Sequence, residues 1–159
     1  MRRPDGVPGR LRATTEADAQ WVCESYADFT EEIPASAEER RTSRATALQM
    51  LRRGLVFLWE LGGAPGSMAC FRYVTDDGVR IAPVFTPVAE RGKGYASTCV
   101  GHLTRQLLQG GVGWCSPFAD MANPMANRLY RRLGYEEAAS YRGYDFGPAT
   151  HEGMEAQAP

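Results

Sequence analysis

Apolar positions along the chain alternate between a helical period and a strand period, and the switches outline a sequence of elements. Gly9 to Ala13 reads as a short first strand. Thr15 and Asp18 follow at capping-box spacing, heading a helix that turns Trp21, Val22, Ser25, Tyr26 and Phe29 towards a core and ends near Ile33 and Pro34. A second helix begins at Ser36 and runs through Ala45, Leu48 and Leu51 to Gly54. Two apolar runs, Leu55 to Leu61 and Ser67 to Val74, read as strands of a hairpin joined by G-G-A-P-G. Asp76, Asp77 and Gly78 turn the chain into a third such run, Val79 to Phe85. Helical spacing returns from Tyr95 to Leu108, with Ala96, Cys99, Val100, Leu103 and Leu107 in register. Val112 to Ala119 is a strand, Asn123 to Gly134 a helix, and Glu137 to Phe146 one or two last strands. The expected division is a disordered start over residues 1–8, one domain over 9–146 and a polar tail over 147–159.

Between the third strand and its helix lies T-P-V-A-E-R-G-K-G-Y-A-S, Thr86 to Ser97, which holds Lys93, the chain's only lysine. A strand, a glycine-rich turn and a helix N-terminus aim several unpaired backbone N–H groups at one point, reinforced by the positive end of the helix dipole. Such a point attracts an anion, usually a phosphate. Gly92 and Gly94 let a ligand approach the main chain, and Arg91 and Lys93 add charge at the mouth. Neither the dinucleotide fingerprint G-x-G-x-x-G nor the nucleotide loop G-x-x-x-x-G-K-[ST] is present. The pattern is R-x-x-G-x-A, filled by Arg91, Gly94 and Ala96.

A second motif, N-P-M-A-N-R-L-Y-R-R-L-G-Y-E, covers Asn123 to Glu136. Asn123 can cap the helix, and Pro124 suits its first position because the missing N–H would be unpaired there anyway. Met125, Leu129 and Leu133 are read as one packed face, and Gly134 as a left-handed stop. Asn127 and Tyr130, three apart, point the same way. The first motif resembles the acyl-CoA pyrophosphate loop of the GNAT superfamily of N-acetyltransferases, and the second resembles the same superfamily's asparagine-to-G-Y signature. The resemblance spans nearly the whole chain.

That resemblance implies an α/β fold: a mixed, mostly antiparallel central sheet with a splayed parallel strand pair and flanking helices. It implies acetyl-CoA as acyl donor, with its pantetheine arm pairing against the main chain of Val84 and Phe85 and its pyrophosphate held from Thr86 and Arg91 through Gly92, Lys93, Gly94, Tyr95, Ala96 and Ser97. Pro83 and Pro87 suit an interrupted strand, since proline cannot donate to a ladder. Asn123 and Asn127 would bond acyl or pantetheine amides. A neutral amine would attack the thioester directly in a ternary complex, and Tyr130 would protonate the leaving thiolate. The strand Val79 to Phe85 has no carboxylate to act as base. Asp120, Glu31 and Glu32 are the available acids, for base or acceptor recognition, although a turn residue is the commoner role for Asp120 and a solvated bystander for the two glutamates; a water chain could also serve. A noncatalytic acyl-CoA sensor and transfer of another acyl group remain alternatives. The acceptor would be a small-molecule or protein amine, and homodimers are common among such folds.

Composition narrows the rest. At 159 residues, 43% hydrophobic, the chain is long enough for one well-filled core. A net charge of −1 gives no general attraction to nucleic acid or anionic membrane. The use of arginine over lysine looks like the codon supply of a GC-rich genome. Cys23, Cys70, Cys99 and Cys115 stand singly in apolar stretches and read as buried thiols of a reduced, cytoplasmic protein. His102 and His151 are too sparse for a metal site, so no metal is expected.

Overall fold

The computed structural model of the protein describes residues 6–140. The strand expected over Glu137 to Phe146 and the polar tail fall mostly outside them, and residues 137–140 carry no strand. The elements are β1 (Arg10–Ala13), α1 (Ala19–Glu32), α2 (Ala37–Arg52), β2 (Val56–Leu61), β3 (Ala64–Tyr73), β4 (Gly78–Phe85), α3 (Tyr95–Gln109), β5 (Trp114–Pro117) and α4 (Pro124–Leu133). The sheet has the order β1-β2-β3-β4-β5, antiparallel throughout except for the parallel pair β4–β5 that α3 connects.

Strand alternation sends side chains to two cores, one on each face of the sheet. Val56, Leu58, Met68, Cys70 and Phe85 meet Val22 of α1 with Ala47 and Leu51 of α2. On the other face Trp59, Ala69, Phe71, Val79 and Ile81 meet Cys99, Val100 and Leu103 of α3 and Leu133 of α4. Ahead of β1, within the stretch expected to be disordered, Val7 packs on the α3-side core and the Pro8 carbonyl accepts a hydrogen bond from Trp59 Nε1 at 2.9 Å.

Several boundaries differ from the sequence reading for identifiable reasons. The β2–β3 turn contracts to Gly62 and Gly63, whose φ of 54° and 89° suit a tight hairpin, and Ala64, Pro65 and Gly66 join β3. The Thr15–Asp18 box heads a single 3-10 turn (Glu16–Asp18) that leads into α1. Glu31 and Glu32 belong to the last turn of α1 and not to the loop after it. β5 is only four residues long. Met125 is 69% exposed, because each four-residue step advances about 40° around a helix and Met125 therefore stands about 80° from Leu133. Cys70 and Cys99 are buried, whereas Cys23 and Cys115 are half-buried. Among the described residues no helix is long and apolar enough to cross a membrane, and no cluster of His, Cys, Asp or Glu could hold a metal ion.

Candidate active site

The sheet opens where β4 outruns its parallel partner. The β4–β5 ladder pairs Gly78 with Trp114, Val79 with Cys115, Arg80 with Ser116 and Ile81 with Pro117, and there β5 ends while β4 continues to Phe85. Its last four residues therefore have a free edge towards β5. On the other side β3 pairs Phe71 with Ile81 but Ala69 with Val84, a bulge that takes up the extra residue of β4 around the cis Ala82–Pro83 peptide. The bulge reverses the alternation, so that Val84 packs on the α3-side core and Phe85 on the α1/α2 side. The far end of β4 is pinned from β3: the buried Ser67 hydroxyl donates to the Phe85 carbonyl at 3.0 Å and lies 2.9 Å from the Thr86 hydroxyl.

After β4 a short 3-10 turn (Val88–Glu90) brings the chain to the glycines. Gly92 (φ 77°) is open on its Cβ side, and Gly94 (φ 85°) caps α3 in the left-handed region that glycine tolerates. The Gly94 carbonyl receives the Thr98 N–H and both the Ser97 and Thr98 hydroxyls, which closes the first turn of α3. Among the described residues no side chain caps the N–H groups of that turn. Unpaired N–H groups at a helix start favour an anion. Tyr95 is buried, Ala96 and Ser97 half-buried, and Lys93 pairs with Glu90 at 3.0 Å.

Arg91 sits differently from a free phosphate ligand. Its Nε donates to the Thr86 carbonyl at 2.8 Å, its Nη2 to both carboxylate oxygens of Glu32 at 2.6 and 2.8 Å, and its guanidinium lies 5.6 Å from the Phe85 ring centre. It thus ties the end of α1 to the glycine turn. Glu31 faces Arg40 at 3.4 Å.

The second motif follows β5, the other strand of the split pair. Asn123 accepts the Ala126 N–H at 3.0 Å through its side-chain oxygen, and Gly134 ends α4 at φ 90°. The Asn127 amide donates to the carbonyls of Asp120 and Asn123 at 2.9 and 2.8 Å, holding the turn that leads from β5 into α4. Asp120 is part of that turn, its Oδ1 accepting the Ala122 N–H at 2.8 Å. Tyr130 projects towards the α3-side core, edge-on to Tyr135 with ring centres 5.8 Å apart. Tyr135 in turn shares a very short hydrogen bond with Thr104 of α3. Burial pushes the Tyr130 hydroxyl up to about 12, and among the described residues that hydroxyl has no hydrogen-bond partner. A phenol so placed stays protonated at neutral pH.

A split parallel pair, a glycine-capped helix at its mouth and a half-buried tyrosine on the following helix is the geometry on which comparison with known proteins can be decided. Residues 19–135 match the family model described as Acetyltransferase (GNAT) family. The chain belongs to the GNAT acetyltransferase family. Solved GNAT-like structures agree on the fold. The chain is similar to yncA, a putative acetyltransferase from Salmonella typhimurium solved with its cofactor acetyl-CoA, at TM-score 0.74 and 22% identity over 88% of this chain and 87% of that one. It is also similar to a GNAT family acetyltransferase from Brucella melitensis in complex with acetyl-CoA, at TM-score 0.62 and 17% identity over 83% and 85% of the two chains. A ribosomal-protein-alanine N-acetyltransferase from Brucella melitensis aligns at TM-score 0.66 and 21% identity over 82% and 86%. No curated protein matches the chain.

Within this GNAT chain Val84 and Phe85 lie at the gap, the turn from Thr86 to Ser97 follows at its mouth, and Val84 and Tyr130 both pack on the α3-side core. Two residues, Ser67 and Arg80, and the partner of a third, Glu32, escaped the sequence reading. Ser67 fixes the strand end, and its only signal was a hydroxyl within an apolar run. Glu32 is engaged by Arg91, a contact across 59 positions of sequence that no local pattern announces. Arg80, on β4 beside the gap, is visible only once strand register is known.

Proposed function

We propose that the protein is an acetyl-CoA-dependent N-acetyltransferase that moves the acetyl group to a primary amine by direct attack in a ternary complex. The observation that carries this reading is the free edge of β4 past Ile81, opening beside the uncapped N-terminus of α3. The edge offers a ladder to the pantetheine amides, and the N–H groups from Gly92 to Ser97 offer donors to the pyrophosphate. Arg91, already anchored to Thr86 and Glu32, would act mainly by fixing that turn. Asn123 and Asn127 would serve the cofactor by holding the turn at the far wall of the gap.

In the reaction the neutral amine forms a bond to the thioester carbonyl carbon, main-chain N–H groups near Val84 and Phe85 stabilise the oxyanion, and the C–S bond then breaks. The Tyr130 hydroxyl gives its proton to the departing thiolate, and water carries the surplus proton from the amine away and returns one to the Tyr130 phenolate. Glu31, Glu32 and Asp120 are each engaged by other groups of the chain, which supports a water-mediated route over a carboxylate base.

Calorimetric titration with acetyl-CoA tests the proposal, with Gly94→Asp as control because a carboxylate there repels a pyrophosphate. Saturable binding lost in the variant is expected. Failure of the native protein to bind acetyl-CoA while binding a longer acyl-CoA would reassign the acyl group, and failure with every acyl-CoA would end the reading.

A further inference from the structure

Two arginines face each other on the α1/α2 side of the sheet. Arg72 of β3 and Arg80 of β4 are direct register partners, and Arg72 continues the side of β3 on which Met68 and Cys70 meet α1 and α2. Tyr26 of α1 lies close enough to feel the charge of Arg72. Like charges directly opposite one another on paired strands are destabilising. Neither arginine has an ion pair or hydrogen bond among the described residues; Arg72 is exposed to solvent, whereas Arg80 is half-buried and its Nε is a buried donor with no partner. The Arg80 guanidinium lies 4.7 Å from the ring centre of Phe118, the residue that follows the end of β5.

The position of the pair gives the unmatched charge a meaning. Arg80 is one residue before Ile81, where β4 and β5 part, so it flanks the inner end of the gap. It projects from the face opposite Tyr130, which packs with the α3-side core. A thioester at the gap would have the proton donor on one face of the sheet and the two cations on the other, which leaves the cationic face open to an approaching amine. A guanidinium with a buried, unspent N–H beside a second guanidinium is matched by a carboxylate or equivalent oxyanion, which can accept from both.

We infer that the acceptor is a small amine that carries its own oxyanion, of the amino-acid class, with Arg80 and Arg72 binding that anion so that the amine faces the thioester. This rests on the acetyltransferase reading above. The attacking nitrogen gains the acetyl group, free CoA thiol is released, and the anion leaves unchanged as part of the product.

The test is acetylation of a matched panel, followed by thiol release: free L-amino acids, the same amino acids as carboxamides, aminoalkylphosphonates, and polyamines. Acids should exceed their amides in kcat/KM by roughly 10- to 100-fold, the range for losing one charge-assisted contact. Arg80→Met should remove that preference by raising KM for the acid, leave the amide unchanged, and leave calorimetric acetyl-CoA binding intact. A carboxylate preference with an equal or smaller phosphonate rate would assign the anion to a carboxylate, and the reverse to a phosphorus oxyanion. Better turnover of amides or polyamines, no turnover of any anionic amine, or an Arg80→Met protein with unaltered preference would each overturn the inference and leave Arg80 as a residue that only stacks on Phe118. Because acetyl-CoA binding is measured separately, loss of this inference is distinguishable from loss of the transferase reading, with which it would also fall.

Discussion

Tyr130 carries the sharpest residue-scale expectations. Burial moves its hydroxyl from an ordinary phenol value near 10 up to about 12, so the proton-donating form persists well into alkaline solution. The rate should therefore rise with pH as the acceptor amine loses its proton and then stay level to about pH 10, without the alkaline fall that an unshifted phenol would give. A pH profile of kcat checks this, and a decline between pH 9 and 10 would argue against Tyr130 as the acid. Tyr130→Phe should lower kcat by roughly 100-fold or more while the acetyl-CoA dissociation constant moves little. An unchanged protein would favour a sensor in which the ring only packs against Tyr135. The place of Tyr130 on a short capped helix was legible because asparagine, proline and glycine around it announce that helix. The engagement of Glu32 with Arg91 was not, because ion pairs form between side chains that folding brings together and leave no mark on local periodicity.

At the scale of elements, the β4–β5 pair is the feature on which the site depends, and its first rung is unusually tight. A Cβ built on Gly78 would stand 2.0 Å from the Trp114 indole. Gly78→Ala should thus displace Trp114 and cost roughly 1–3 kcal/mol of stability, read as a lowered urea midpoint. Acetyl-CoA affinity should fall with it if the strand pair frames the gap. On α2 the Ser36 hydroxyl accepts the Glu39 N–H while the Glu39 carboxylate bonds back to the Ser36 N–H. Ser36→Ala should cost about 1 kcal/mol in the same denaturation experiment without affecting catalysis, since that cap lies away from the gap. The elements themselves were largely readable, because helix and strand periods and their caps are local. Their ends were not: β5 stops at Pro117, short of the expected Ala119, at the rung with Ile81 beyond which β4 bulges and runs on alone on that edge.

For the molecule as a whole, one charged cluster joins the start of the chain to the sheet. Arg12 of β1 bonds both oxygens of the largely buried Asp18 and also reaches Glu60 of β2, which Arg10 holds as well. The Arg12 guanidinium is the main cause that brings Asp18 down from 3.8 to about 2. A depressed carboxyl stabilises the fold fully above its unfolded value near 4, and that share disappears as pH falls through about 2. Asp18→Asn should therefore lose on the order of 2 kcal/mol at pH 7 but differ little from the native protein near pH 2. Urea titrations at the two values compare them. By itself the sequence determined the order of helices and strands, the glycine turn with its cradle of N–H groups, and the capped helix that carries Tyr130, because these depend on contacts within a few residues. Only the tertiary structure decided which strand edge is free, that Arg91 is tethered to Glu32, and that Arg72 and Arg80 stand opposite each other beside the gap. Each depends on register and on which faces meet, and those are set when the sheet assembles and buries its two cores together.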